Sequence, residues 1–493
     1  MANFLGNLAD TLNGYIWAMP LIYLCLGGGL VFTIVLRAVQ VRHLGDMGRL
    51  LFNGQKSDSG LSSFQAFCMA IAGRVGTGNI AGVATAIFYG GPGALFWMWI
   101  VAILGAATTF IECTMAQLFK EKVNNQYRGG ATYYISRFFK SDVLGYIFAM
   151  VAMISLALTQ TGIHSNTIAE SVVAAFGIPK WVTGLVICIG LALIIFGGVK
   201  RIGAVAEKVV PVMATLYIIV ALIVLVLNIS QLPAVFKLIF TSAFGKDQII
   251  GAAFGSAVIW GTKRAVFSSE TGMSTATQAA ATAEVSHPVK QGLVQSFSVY
   301  IDTLFVCTAT GIMLLMTGTY NVTDGNGGLL AQNISDAIPA GAPWAQLALE
   351  TRFSWGGAFI ALAMCFFGFT TIMNNYYSSE THLAFFWRKK KEGMPKWAFT
   401  LIRLIVIAFT FIGAVISTGT IWNWSDTTLG LMTWMNMISL VCMLPLAVKL
   451  LKDFEAQEKE GKDPIFDPDK FNIPGTELWR EIRDKFKAGE LKE

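Results

Sequence analysis

The sequence predicts an all-α polytopic membrane protein, and three observations carry that prediction. Charged residues make up 13% of the chain against 54% hydrophobic. Eleven separate stretches are apolar for long enough to cross a bilayer, and nearly all basic residues fall on one side of them. A soluble globular chain carries about 25% charged residues, so a water-soluble surface cannot be built here. The same composition excludes disorder, a collagen-like repeat and a disulfide-stapled scaffold. All seven cysteines (Cys25, Cys68, Cys113, Cys188, Cys307, Cys365 and Cys442) lie in apolar stretches and read as small packing residues without metal or catalytic roles. The formal charge of +6 is not gathered beside aromatic platforms, so nucleic acid is not an expected partner. The lipid bilayer is.

A crossing helix needs about 20 apolar residues for a hydrocarbon layer roughly 30 Å thick. The first stretch, 14–36, is long enough, and the 36 residues up to its end hold no Lys or Arg, so there is no basic signal-peptide head. The rest run 62–89, 93–119, 143–163, 181–199, 209–228, 248–275, 292–317, 354–386, 398–417 and 428–450. With the N-terminus outside, every Lys and Arg falls on the inner side except Lys180, Lys237, Lys246 and Arg352 outside and Arg74 within a span. That alternation supports eleven spans, an outer N-terminus and a cytoplasmic C-terminus. On this count Lys263 and Arg264 belong to an inner loop. The expected organisation is an N-terminal helix with a basic loop (1–61), a first five-helix set (62–228), a second (248–451) interrupted by an outer cap at 318–353 with a short helix near Trp344, and a charged tail (452–493) read as a solvated appendage.

No enzyme constellation appears: there is no HExxH, Walker loop or GxSxG, and the four His (His43, His164, His287, His382) are widely separated. The protein is therefore not expected to be an enzyme. Broken helices stand out instead. The second span contains AGRVGTGNIAG, placing Gly73, Gly76, Gly78 and Gly82 around Arg74, Thr77 and Asn79 at mid-bilayer. Small-xxx-small packing explains Gly78 and Gly82, but a mid-depth charge costs about 2.5–3.5 kcal/mol, and packing does not explain the Arg, Thr and Asn. Unwinding here would offer amides to a carboxylate and carbonyls to Na⁺. The seventh span, GAAFGSAVIWGTKRAVFSSETG, has Gly251, Gly255, Gly261 and Gly272 and a polar second half. Five crossings invert orientation, so two five-helix sets each led by a broken helix read as inverted repeats, a pointer to a secondary-transporter site. Asp302 and Glu112 are intramembrane carboxylates, read as ion ligands, coupling charges or partners of Arg74. GFTTIMNNYY in the ninth span groups Thr370, Thr371, Asn374 and Asn375.

RVGTGNIAGVATAI followed by GGPGALFWMW resembles the signature of the alanine or glycine:cation symporter family of sodium-coupled amino-acid transporters. The resemblance continues through YRGG (127–130), residues 261–272, HPVKQGLVQ (287–295), IDTLFVCTATG (301–311) and FTTI (369–372), covering nearly all of 15–450. It implies the fold of neurotransmitter:sodium symporters: one extra N-terminal helix and a five-plus-five inverted repeat with two broken helices. It also implies that amides near Gly76, Thr77 and Gly78 receive the substrate carboxylate, with Asn79 as a side-chain ligand for substrate or a second Na⁺ and Gly255, Trp260 and Asn375 around the substrate. The carbonyls of Ala72 and Val75 would join the Thr370 and Thr371 hydroxyls around Na⁺. Neutral oxygen ligands suit Na⁺ rather than H⁺, for which Asp302 is the titratable candidate.

Three departures bear on substrate. SSETG (268–272) stands where Asn and Ala are usual after the first Ser, His164 where Gln is usual, and Asn375 where Trp is usual. The implied function is sodium-coupled import of alanine or glycine by alternating access in a prokaryotic cytoplasmic membrane, with a glutamine symporter as the alternative and an ion channel as a remote one. No obligate protein partner is indicated.

Overall fold

The computed structural model describes residues 2–52, 60–245 and 254–491, almost all of them helical or in short connections. The chain opens with α1 (Ala2–Ile16) and α2 (Met19–Val35), which are bent by 40° at their junction. Pro20 sits in the first turn of α2, where its missing amide does no harm. The second predicted span is two helices, α3 (Ser63–Arg74) and α4 (Ala81–Gly90). Ser62 caps the first by accepting from the Gln65 amide at 3.2 Å. There follow α5 (Ala94–Leu118), α6 (Asp142–Phe176), α7 (Lys180–Ile195) and α8 (Gly198–Leu227). The seventh predicted span holds α9 (Phe254–Ser269) and α10 (Thr277–Ala281), while Gly251 lies outside the described residues. The bundle is completed by α11 (Pro288–Thr317), α12 (Gly356–Ala384), α13 (Lys396–Val415) and α14 (Thr418–Lys459).

Among the described residues seven helices are long and apolar enough to cross a bilayer, or eight with the bent pair α1–α2. All eleven predicted stretches carry helix, but the rest fall short of that length for physical reasons. The α7 helix has 16 residues, and the second and seventh stretches are cut by unwound backbone. The outward surface is what a hydrocarbon solvent requires: α8 exposes Val212, Leu216, Ile219, Ile223 and Val226 along one stripe and buries Met213, Tyr217 and Val224. The interior carries the polar residues, with Arg74, Glu112 and Asp302 no more than 1% exposed.

Helix α5 packs against α9 and α11, and α12 against α3 and α6, so the broken helices lie between continuous ones. Two continuous helices contain π-helical stretches, Ile154–Gln160 in α6 and Tyr300–Cys307 in α11. Such stretches concentrate at functional sites, because the extra residue per turn rotates the next side chains onto a new face. They carry the buried Gln160 and Asp302. The segment between α11 and α12 folds into the hairpin Asn321–Thr323 with Leu329–Gln332 and a helix, Ala342–Glu350, that buries Trp344.

Two expectations are corrected. Lys263 and Arg264 are not in a loop, because α9 runs on to Ser269 and carries both inside the bundle. There they share Asp426 of α14, Lys263 at 2.8 Å and Arg264 through both carboxylate oxygens at 3.1 and 2.9 Å. The tail is not a solvated appendage either. Its helix α15 (Leu478–Lys487) buries Trp479 and Ile482 completely. The Trp479 indole N–H donates to Leu118 O (3.0 Å) and Gln117 O (3.3 Å), carbonyls in the last turn of α5. Ahead of it, Phe466 N donates to Ser286 O (2.9 Å), Ser286 Oγ to Pro464 O (2.7 Å), and Lys290 pairs with Asp463 at 2.6 Å. The amphipathic pattern of ELWREIRDKF marks a helix correctly, but its apolar face meets the bundle rather than solvent or lipid.

Trp479→Ala is expected to destabilise the protein by about 3–5 kcal/mol, the cost of emptying a buried aromatic site. Thermal unfolding in detergent reads this, and an unchanged midpoint would show that the tail contributes no packing.

Candidate functional site

The first break begins where Val75 caps α3 at φ −74° and ψ +86°, turning the chain out of the helix. Gly76 follows, extended at φ −139°, and a single 3₁₀ turn, Thr77–Asn79, leads to α4. Unwound backbone inside a bilayer needs replacement partners, and the polar residues of the motif provide them. Asn79 Oδ1 accepts from Gly76 N at 2.8 Å. The Asn79 amide in turn donates to Asp302 Oδ1 (2.6 Å) and Asp302 O (3.2 Å) in the π-helical stretch of α11. Ser268 Oγ reaches the same carboxylate (3.2 and 3.1 Å), and so does Thr303 Oγ1 (2.7 Å). Thr77 Oγ1 shares a hydrogen bond of 2.8 Å with His164 Nδ1 of α6.

The second break lies at 270–276, between α9 and α10, with Glu270, Gly272 and Ser274 at positive φ (54°, 80° and 68°). That conformation turns successive amides to one side, a hollow suited to an anion. Glu112 of α5 fills it, accepting from Ser274 N (3.0 Å), Gly272 N (3.3 Å) and Asn436 Nδ2 (2.5 Å). The first break packs against the end of α9, since a side-chain carbon on Gly78 would lie 3.0 Å from both the Phe267 ring and Ser268 Cα. Glycine at 78 is thus what lets the 3₁₀ turn approach α9.

The third wall is α12. Thr371 Oγ1 lies 2.9 Å from Ala72 O, at the end of α3, and 2.9 Å from Phe367 O of its own helix. One turn further on, Asn374 is buried with neither amide atom hydrogen-bonded. Between these walls lies a tight cavity of about 10 Å³, about the room one water needs, bounded by Gly73, Gly78, His164, Phe267, Glu270 and Asn375 among others. The Asn375 amide nitrogen has no hydrogen-bond partner.

The expected residues therefore separate into two groups. Ala72, Val75, Gly76, Thr77, Gly78, Asn79, Thr371 and Asn375 come together at the first break. Thr370 turns its hydroxyl back onto Phe366 O and Phe367 O (3.0 Å each) and toward Met213, away from Ala72. Gly255 is exposed with open space around it, and Trp260 stacks on Tyr89 at 4.2 Å beside Lys263, outside the closed cavity. Arg74 is not ion-paired with Glu112 or Asp302. It donates to Gln295 O at 3.0 Å and to Ser298 Oγ, because both carboxylates are engaged by the breaks. The polar pattern of the seventh span suggests irregularity along its whole second half, whereas the unwinding is confined to 270–276. Asn374, grouped with Asn375 in the sequence, joins the site; Glu270 and Ser268 join it without having been singled out by sequence, although a carboxylate inside SSETG was a signal that could have found the first.

The sodium:alanine symporter family matches residues 2–468 of the chain. The sodium/proton-dependent alanine carrier protein of Bacillus sp. (strain PS3) is 44% identical, over 88% of this chain and 97% of that protein. The probable sodium/glutamine symporter GlnT of Bacillus subtilis (strain 168) is 40% identical, over 97% of each. Among solved structures, MhsT in complex with L-phenylalanine aligns at a TM-score of 0.52 and 12% identity, over 80% of this chain and 99% of that one. That likeness is one of fold, the fold of neurotransmitter:sodium symporters.

A side-chain carbon on Gly76 would lie 2.5 Å from Thr371 Oγ1. Gly76→Ala should therefore destabilise by about 1–3 kcal/mol, the usual cost of overpacking, and adding Thr371→Ala should recover most of the loss. Additive losses in thermal unfolding would show that the two residues do not share that space.

Proposed function

Because the chain belongs to the sodium:alanine symporter family, we propose that it imports alanine, glycine or a similarly small neutral amino acid together with Na⁺ by alternating access. In this reading it sits in a prokaryotic cytoplasmic membrane with its N-terminus outside and its tail inside. Family and relatives are transporters rather than enzymes. The observation that carries the proposal is Thr371 Oγ1 at 2.9 Å from Ala72 O, a hydroxyl of one helix facing the last free carbonyls of a broken one. With Val75 O these oxygens form the start of a neutral cage for a monovalent cation. Such a cage bridges α3 and α12, so an ion in it favours the arrangement in which both are close. Asn79, Ser268 and Asp302 are a second oxygen-rich cluster open to Na⁺. The amides of Thr77 and Gly78, at the head of the 3₁₀ turn, are assigned to the substrate carboxylate. The Gly76 amide is already engaged by Asn79.

Glutamine is the second reading, and Asn375 favours it. Its unpartnered amide borders the cavity, where it can hydrogen-bond a substrate side-chain amide, and a 40% identical relative is named for glutamine. The coupling ion is assigned as Na⁺, while the relative named for both sodium and proton keeps H⁺ as the competing outcome.

Reconstituted protein should take up alanine only under an inward Na⁺ gradient, and uptake driven equally by a pH gradient alone would replace Na⁺ with H⁺. Thr371→Ala should raise the Na⁺ concentration for half-maximal uptake more than it raises the alanine KM at saturating Na⁺; unchanged sodium activation would remove Thr371 from the ion site. Asn375→Trp should reduce glutamine uptake at least about tenfold, equivalent to about 1.4 kcal/mol, while sparing alanine. Equal loss for both would point to gating rather than selectivity.

A further inference from the structure

The carboxylate of Glu270 plays no part in the roles assigned above, and its setting is costly. It stands in the second break at φ +54°, a left-handed conformation that is uncommon for residues other than glycine. The residue is 6% exposed, and its Oε2 has no hydrogen-bond partner. Among the described residues it is the only carboxylate in the wall of the closed cavity. Keeping a carboxylate ionised in so enclosed a space is expensive, and a cation arriving beside it lowers that cost.

The neighbours narrow what that cation is. A side-chain carbon on Gly73 would lie 2.9 Å from Glu270 Oε2 and 2.4 Å from Asn374 Nδ2, so the open carboxylate oxygen and the unpartnered amide converge on one spot beside the broken helix. Arg74 also borders the cavity, but it directs its guanidinium at Gln295 O and Ser298 Oγ of α11. The oxygens assigned to Na⁺, those of Ala72 and Thr371, do not border this cavity, whereas Gly78, His164 and Asn375 do. Glu270 therefore borders the cavity assigned above to the organic substrate rather than the oxygens assigned to the ion.

We propose that the Glu270 carboxylate receives the α-ammonium group of the amino-acid substrate. The inference rests on the transport reading of the cavity and adds the group that recognises the substrate's positive end. The two broken helices then divide the zwitterion: backbone amides of the first break take the carboxylate, and a side chain of the second takes the ammonium. A small acid without an amino group would set a methyl or hydroxyl against a buried anion, so the site excludes it on charge rather than size.

The test uses the purified full-length protein in detergent, with thermal shift and competition against labelled alanine as readouts. In the wild type, alanine should raise the melting temperature in NaCl and compete, while propionate and N-acetylalanine should do neither. Glu270→Gln should weaken alanine at least about tenfold, as expected for losing a hydrogen bond to a charged group, and leave the shift caused by Na⁺ alone in place. Glu270→Asp should retain part of the affinity. Propionate competing as well as alanine in the wild type would overturn the proposal without any variant. So would undiminished alanine affinity in Glu270→Gln, or loss of the Na⁺-only shift with alanine affinity intact at saturating Na⁺, which would make Glu270 an ion ligand. No response of the wild type to any amino acid would instead remove the transport reading itself.

Discussion

Inside a hydrocarbon layer a helix can be interrupted only where other groups take over the hydrogen bonds it gives up, and most of this structure comes from meeting that requirement twice. At the second break Glu112 does so, its carboxylate held by the amides of Gly272 and Ser274 and by Asn436. At the first, Asn79 returns to the Gly76 amide and is itself fixed by Asp302. Each break is thus held by a carboxylate from a neighbouring continuous helix. The neighbours must be adjacent and rigid, and accordingly α5 flanks the second break, α11 flanks the first, and the two helices pack on each other.

The same arrangement leaves a small set of groups uncommitted in or beside the cavity wall. Among the described residues, Glu270 Oε2, both amide atoms of Asn374 and the Asn375 amide nitrogen lack partners where the breaks meet α12. Buried polar groups without partners are uncommon in folded proteins. Their concentration at one place, beside a glycine-lined break, is physically different from the paired triad of Lys263, Arg264 and Asp426 nearer the cap. In the triad the charges neutralise one another, whereas Glu270, Asn374 and Asn375 keep polar atoms without partners among the described residues.

The far end of the bundle is closed by backbone hydrogen bonds together with ion pairs. Leu61 N donates to Thr282 O (2.8 Å) and Glu284 N to Leu61 O (2.9 Å), joining the entry to α3 to the exit from α10. The tail lies over this joint through Phe466, Asp463 and Trp479. Segments of both broken helices are therefore tied to each other and to the C-terminal residues, so motion of either one disturbs all three.

Composition and the basic residues determined that this chain is a helical membrane protein, because those properties depend only on how much apolar length and charge each segment carries. The sequence also located the first break, since glycines beside Arg74, Thr77 and Asn79 have no good helical explanation. It did not decide where the seventh span unwinds, nor that Lys263 and Arg264 lie inside the bundle. A segment rich in Gly, Ser and Thr can stay helical or open, and the choice at 270–276 belongs to Glu112, which is remote in sequence and meets the Gly272 and Ser274 amides only in space. Tertiary packing likewise chose Thr371 over Thr370, because one residue is about 100° of helix and only the docking of α12 on α3 fixes which hydroxyl meets Ala72. The tail's apolar stripe was legible, but its partner was not, since the exposed carbonyls of Gln117 and Leu118 exist only once α5 has ended beside it.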